Sequence, residues 1–168
     1  MIEQNPQLAD QVHQWLRQAG ISYYLCDQCN GLHLSAVQSL AGVVESRLFV
    51  EDWGLLVSTE FVIRPTAMLP LAADLGRLNA GYPTLKLFLD VVDDGMPQLV
   101  AGATALTGAG IDADQFTLFV STAQDMTTRL AAEVADMDFL LPDERERATA
   151  TIACIETASR GRAMSDRA

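Results

Sequence analysis

The stretch from Val44 to Arg64 constrains this chain more than any other. On one side of Asp52-Trp53-Gly54, Val44, Leu48 and Val50 mostly alternate with Glu45, Arg47 and Glu51. On the other side, Leu55, Val57, Phe61 and Ile63 share one parity with Thr59. Ser58, Glu60 and Arg64 share the other with Leu56 and Val62. Alternation with period two means strands, and a turn signal between two such runs means an antiparallel hairpin with one buried face. A half-buried sheet needs a cover, and the flanking sequence supplies helices to make it.

Leu8, Val12, Trp15, Leu16 and Ala19 form a single helical stripe. Asn5 is placed to cap it, Pro6 suits its first position, and Gly20 stands where a glycine stop belongs. Ile21 to Leu25 is rich in β-formers, and Leu32-His33-Leu34 is a candidate short strand. Pro65 ends the hairpin and Thr66 is placed to cap a helix carrying Met68, Leu71, Ala72, Leu75 and Leu78, which Asn79 to Pro83 closes. Pro70 falls early in that helix, where it is tolerated. Thr84–Val92 and Gln98–Leu106 flank Asp94-Gly95 as a second hairpin. Ala101, Ala103 and Ala105 give its second strand a small-residue face that a helix or another subunit can approach. Asp112 with Gln115 reads as a capping box for a helix whose stripe is Phe116, Phe119, Val120, Ala123, Met126, Leu130 and Val134. Leaving the 32–34 candidate aside, the order is α-β-β-β-α-β-β-α: an α+β fold, an antiparallel sheet with helices packed on it.

With 168 residues, 49% of them hydrophobic, the chain suits one domain with a real core. Residues 1–142 are read as that domain. Residues 143–168 turn polar and are expected to be a mobile tail. No window approaches the apolar length of a membrane span, and the opening residues lack the pattern of a secretory signal. Three cysteines also argue against a disulfide scaffold, so the expected compartment is the cytoplasm. The net charge of −11 rests entirely on residues 1–141, and Lys86 is the sole lysine. Such a body repels phosphate backbones, which argues against direct nucleic-acid binding.

Cys26-Asp27-Gln28-Cys29, with His33 close behind, is the most suggestive constellation. Three readings stay open. As a metal site, Cys26, Cys29 and His33 are zinc ligands wanting a fourth, from Cys154, His13 or a second subunit. As a redox pair, the cysteines lack an activating helix N-terminus, and Asp27 opposes a thiolate. As a structural feature, they are two small apolar residues in a tight connection. Gly108-Ala109-Gly110-Ile111-Asp112-Ala113 matches a dinucleotide fingerprint on paper, but no parallel strand follows its helix, and Asp112 and Asp114 would repel a pyrophosphate. Asp90, Asp93 and Asp94 lack the ligand spacing of a calcium loop. His13 is expected at the core edge. Nothing in the sequence assembles a nucleophile, a base and an orienting acid, so neither an enzyme nor a cofactor is expected, zinc being the one candidate.

Four stretches together resemble the YbjN family of enterobacteria: Cys26-Asp27-Gln28-Cys29 with Leu32-His33-Leu34; Arg64 to Leu75, on to Asn79-Ala80; Lys86 to Asp90 with Asp93-Asp94-Gly95-Met96-Pro97; and Gln115-Phe116 through Phe119-Val120. The resemblance covers roughly residues 8–142, and the tail departs from it. It implies an α+β fold like that of type III secretion chaperones. It also implies a cytoplasmic regulator of sensory transduction that represses exopolysaccharide, motility and biofilm traits and bears on stress and virulence. It carries no catalytic residues. The expectation drawn from all this is a non-enzymatic regulator that binds an unidentified protein partner and forms a homodimer, through helix 66–79 or the small-residue face of strand 98–106. The competing expectations are a zinc or redox sensor and a chaperone of secreted effectors.

Overall fold

A computed structural model describes residues 6–26, 28–91 and 95–141. Asn5, Asp27, Asp93, Asp94, Cys154 and the whole of the 143–168 tail lie outside them. Six antiparallel strands form one sheet: β1 (Tyr23–Leu25), β2 (Leu32–Leu34), β3 (Val43–Val50), β4 (Gly54–Val62), β5 (Lys86–Asp90) and β6 (Gln98–Leu106), in the spatial order β1-β2-β3-β4-β6-β5. Helices α1 (Pro6–Gln18), α3 (Met68–Gly81) and α4 (Ala113–Asp136) bring their apolar stripes to one core with the sheet. The fold is the expected α+β. The candidate Leu32–Leu34 is a strand, and one further element, the one-turn helix α2 (Ser35–Gln38), joins it to β3.

The period-two reading of β3 and β4 sets the buried face. Leu48, Val50, Leu55, Val57, Phe61, Ala101 and Ala103 point into the core. Ser46 and Thr59, directly opposite each other and fully buried, bond hydroxyl to hydroxyl at 2.8 Å, so neither is left unsatisfied. Val44 departs from the expected inward parity and is 39% exposed. A register shift between Val43 and Glu45 breaks the alternation there, as a bulge does.

Two caps behave differently. Asp112 accepts from the Gln115 backbone N–H at 2.8 Å and Gln115 Oε1 accepts from the Asp112 N–H at 3.1 Å, the reciprocal box expected. Thr66 does not cap α3. It lies inside a 3-10 turn, Pro65–Ala67, which leads directly into the helix. Of the two occupants expected on the small face of β6, the chain's own helix is the one found: Ala101 and Ala103 are buried in the core with Ala123 of α4.

α3 and α4 are tied by a polar group. Tyr82 OH donates to Glu133 at 2.7 Å, and Arg77 bridges Glu133 and Asp74. The Tyr82 hydroxyl and then Arg77 hold the Glu133 carboxyl below the usual carboxylate range. A depressed carboxylate contributes stability above its unfolded pKa and loses it as pH falls through the folded value. Glu133→Gln is therefore expected to cost about 0.5 kcal/mol at pH 7 after solvent screening, and much less at pH 3, in urea titrations at both pH values.

Candidate functional site

The sheet has a second face, away from the helices, and one row of side chains crosses all of it. Tyr24 on β1 opposes His33 on β2, His33 opposes Arg47 on β3, and Arg47 opposes Ser58 on β4. Ser58 opposes Gly102 on β6, which opposes Lys86 on β5. The two ends of this row carry the two notable features of the surface.

At the β1–β2 end, the chain leaves β1 at Leu25, runs through both cysteines, and returns at Leu32. Cys26 Sγ and Cys29 Sγ lie 3.0 Å apart, and His33 Nε2 is 3.2 Å from each. The cysteines are half-buried, while His33 is 4% exposed. The Tyr24 ring stacks on the imidazole with centroids 4.6 Å apart and planes 13° from parallel. His33 Nδ1 is buried and has no hydrogen-bond partner among the described residues. The Cys26 thiol is lowered to about 7, chiefly by its hydrogen bond with Cys29, then by the Gln28 backbone and His33, against a smaller opposing effect of burial. The loop lies close on β3: a Cβ on Gly31 would stand 3.0 Å from the Phe49 ring and 3.1 Å from the Arg47 stem, so glycine permits the approach. Burial works against the Arg47 charge, but Glu60 at 2.5 Å and Glu45 at 2.6 Å raise its pKa overall.

The expected trio therefore does converge, and among the described residues no fourth Cys, His, Asp or Glu joins it. His13 is not available as one. Its Nδ1 meets Tyr23 OH at 2.9 Å, and Tyr23 has the opposite parity to Tyr24, so His13 sits on the helix-covered side of the sheet. Cys154 lies outside the described residues. Tyr24 and Arg47 are site residues that the linear sequence did not single out. Their signal was parity, which becomes readable only once β1, β2 and β3 are in register.

At the other end, β5 pairs only with residues 98–102 of β6, while β6 runs on to Leu106, paired there with β4 alone. Among the described residues the segment Ala103–Leu106 thus has an unpaired edge. Beside it lies a groove of about 880 Å³, lined by Trp53, Leu56, Phe88, Thr104, Leu118 and Phe119 among others. Leu118 is 68% and Leu106 81% exposed. β5's own outer edge is closed at Leu87 by a side chain. Asn79 Nδ2 donates to Leu87 O at 3.1 Å, and Asn79 Oδ1 accepts from Leu87 N–H at 2.9 Å. The glycine-containing segment 108–113 is a turn into α4 after an antiparallel strand, not a nucleotide loop.

A family model, YbjN, described as a "Putative bacterial sensory transduction regulator", matches residues 8–136. The chain belongs to the YbjN family. It is 36% identical over 137 residues to the uncharacterized protein YbjN of Escherichia coli K12, covering 82% of this chain and 87% of that protein. The crystal structure of E. coli YbjN superposes with a TM-score of 0.76, covering 80% of this chain and 95% of that one. A chain from the heterodimeric ExoU–SpcU complex of the Pseudomonas aeruginosa type III secretion system gives a TM-score of 0.46 at 24% identity, over 71% of this chain and 93% of that one. No helix among the described residues is long and apolar enough to cross a membrane.

Proposed function

We propose that this YbjN-family member is a non-enzymatic regulator that acts by binding another protein along the β6 edge. One observation carries the reading: among the described residues Ala103–Leu106 offers unpaired backbone beside an apolar groove, while Asn79 closes the neighbouring edge of β5 at Leu87. Unpaired strand edges are normally blunted, because they template pairing with another chain. An added strand would gain main-chain hydrogen bonds from β6 and seat its side chains against Leu118 and Trp53. A second copy of the chain is the first partner to test, since two such edges can pair about a two-fold axis.

The regulated traits we propose are those of the family resemblance: repression of exopolysaccharide and motility, with effects on virulence or stress responses, exerted in the cytoplasm. A photo-crosslinking residue at Thr104 is expected to link two chains, and light scattering is expected to give a dimer at micromolar concentration. Leu118→Arg should weaken either association at least about tenfold, the equivalent of ~1.4 kcal/mol. A monomer that captures no partner through Thr104 would overturn the reading. A crosslink to a secreted effector instead of a second copy would keep the surface and change the role to that of a chaperone.

A further inference from the structure

We propose that Cys26, Cys29 and His33 bind one zinc ion per chain and leave its fourth position open to an exchangeable ligand. Three donor atoms from a span of eight residues meet at 3.0, 3.2 and 3.2 Å, two from the β1–β2 connection and one from β2 itself. As a purely apolar turn the arrangement is poorly explained. A single imidazole nitrogen faces two sulfurs at equal distance and cannot aim one N–H at both.

The donor set selects the metal. Two thiolates and an imidazole favour zinc over magnesium or calcium, which take oxygen ligands. Zinc bonds of about 2.3 Å to sulfur and 2.0 Å to nitrogen set tetrahedral edges near 3.8 Å between sulfurs and 3.5 Å from sulfur to nitrogen. Each observed separation is shorter than that by less than an ångström. The two half-buried thiols can open outward on their loop, while His33 stays fixed by the strand and by the Tyr24 ring.

Two features make this site open and exchangeable. Among the described residues no fourth ligand joins the trio, and both cysteines are only half-buried, within reach of solvent. Among the described residues His33 Nδ1 also has no hydrogen-bond partner, whereas ligating histidines usually hold one on their far nitrogen. Losing such a partner typically weakens metal binding about 10–100-fold, so the affinity is expected to fall below that of closed structural sites. The proposal does not depend on the partner-binding reading above.

The test uses the full chain, reduced and purified without chelator. Native mass spectrometry is expected to find one zinc per chain, lost on denaturation. Cobalt added to the metal-free protein should give thiolate-to-metal absorption and the visible bands of a tetrahedral site. Cys26→Ser and Cys29→Ser, folded by circular dichroism, should each bind zinc at least about 100-fold more weakly. Tyr24→Ala, which removes only the stacking ring, should weaken it less. A small thiol added to the cobalt form should shift the visible bands, and Cys154→Ser should leave them unchanged. Absence of thiolate–cobalt bands with both thiols reduced overturns the site, as does unchanged zinc affinity in the serine variants. Bands that ignore the added thiol but change in Cys154→Ser overturn the open position.

Discussion

Gly54→Ala is expected to destabilise the protein by about 3 kcal/mol, the scale of strain at a backbone position that admits no side chain. Gly54 opens β4 with φ +154°, and a Cβ there would fall 2.1 Å from the Ala105 carbonyl oxygen. That obstacle is backbone, so no side-chain rotation relieves it. Relief must come from the β3–β4 turn or from the end of β6. The turn is held by Gly54 N–H to Glu51 O at 3.2 Å and Glu51 N–H to Gly54 O at 2.7 Å. The end of β6 is held by its pairing of Ala105 with Leu55 and Leu106 with Gly54. Gly76→Ala is the matching control. Gly76 sits on the exposed side of α3 with open space where a Cβ would go, and alanine there should add up to about 1 kcal/mol through helix propensity. Urea denaturation of the two variants should move in opposite directions. Because Ala105 belongs to the unpaired edge of β6, Gly54→Ala should also weaken partner binding beyond what partial unfolding explains. Gly76→Ala should leave binding unchanged.

The elements legible in the sequence are those whose signal is local. The β3–β4 hairpin could be read because alternation on both sides surrounds one turn. The capping box of α4 could be read because Asp112 and Gln115 are three residues apart. Cys26, Cys29 and His33 were found for the same reason: the hairpin that gathers them is short, so their spacing in sequence survives as nearness in space. What the sequence hid was set by register. Val44 carries the right residue type on the right parity, and a bulge beside it turns it outward. Tyr24 and Arg47 flank His33 only because β1 and β3 pair on either side of β2. The open edge at Ala103–Leu106 arises from a mismatch in length between β5 and β6, and neither strand shows it alone. α2 was hidden too, since four residues give no helical period to see.

Asn79→Ala is expected to cost about 2 kcal/mol, and its effects on stability and on association should separate. The Asn79 side chain makes three bonds: Nδ2 to Leu75 O at 2.9 Å, Nδ2 to Leu87 O at 3.1 Å, and Oδ1 from Leu87 N–H at 2.9 Å. The last two imitate a neighbouring strand on Leu87, whose backbone groups point away from β6. Alanine would leave that N–H and C=O unpaired next to a buried Leu87, at about 1–3 kcal/mol for a group fully shielded from water and less where water reaches it. Asn79→Asp tests the direction of the bonds. At pH 7 its carboxylate would accept from Leu87 N–H but face two carbonyl oxygens that need donors, so it should be at least as harmful as alanine. Its stability should partly recover as pH falls, because a protonated carboxyl can donate to Leu87 O. Urea titrations at pH 7 and pH 4 would check both variants. Without Asn79 the open edge runs on from β6 into β5, and an unblunted edge pairs without regard to partner. Asn79→Ala should therefore raise concentration-dependent association that Leu118→Arg does not suppress, which distinguishes loss of an edge guard from use of the β6 groove.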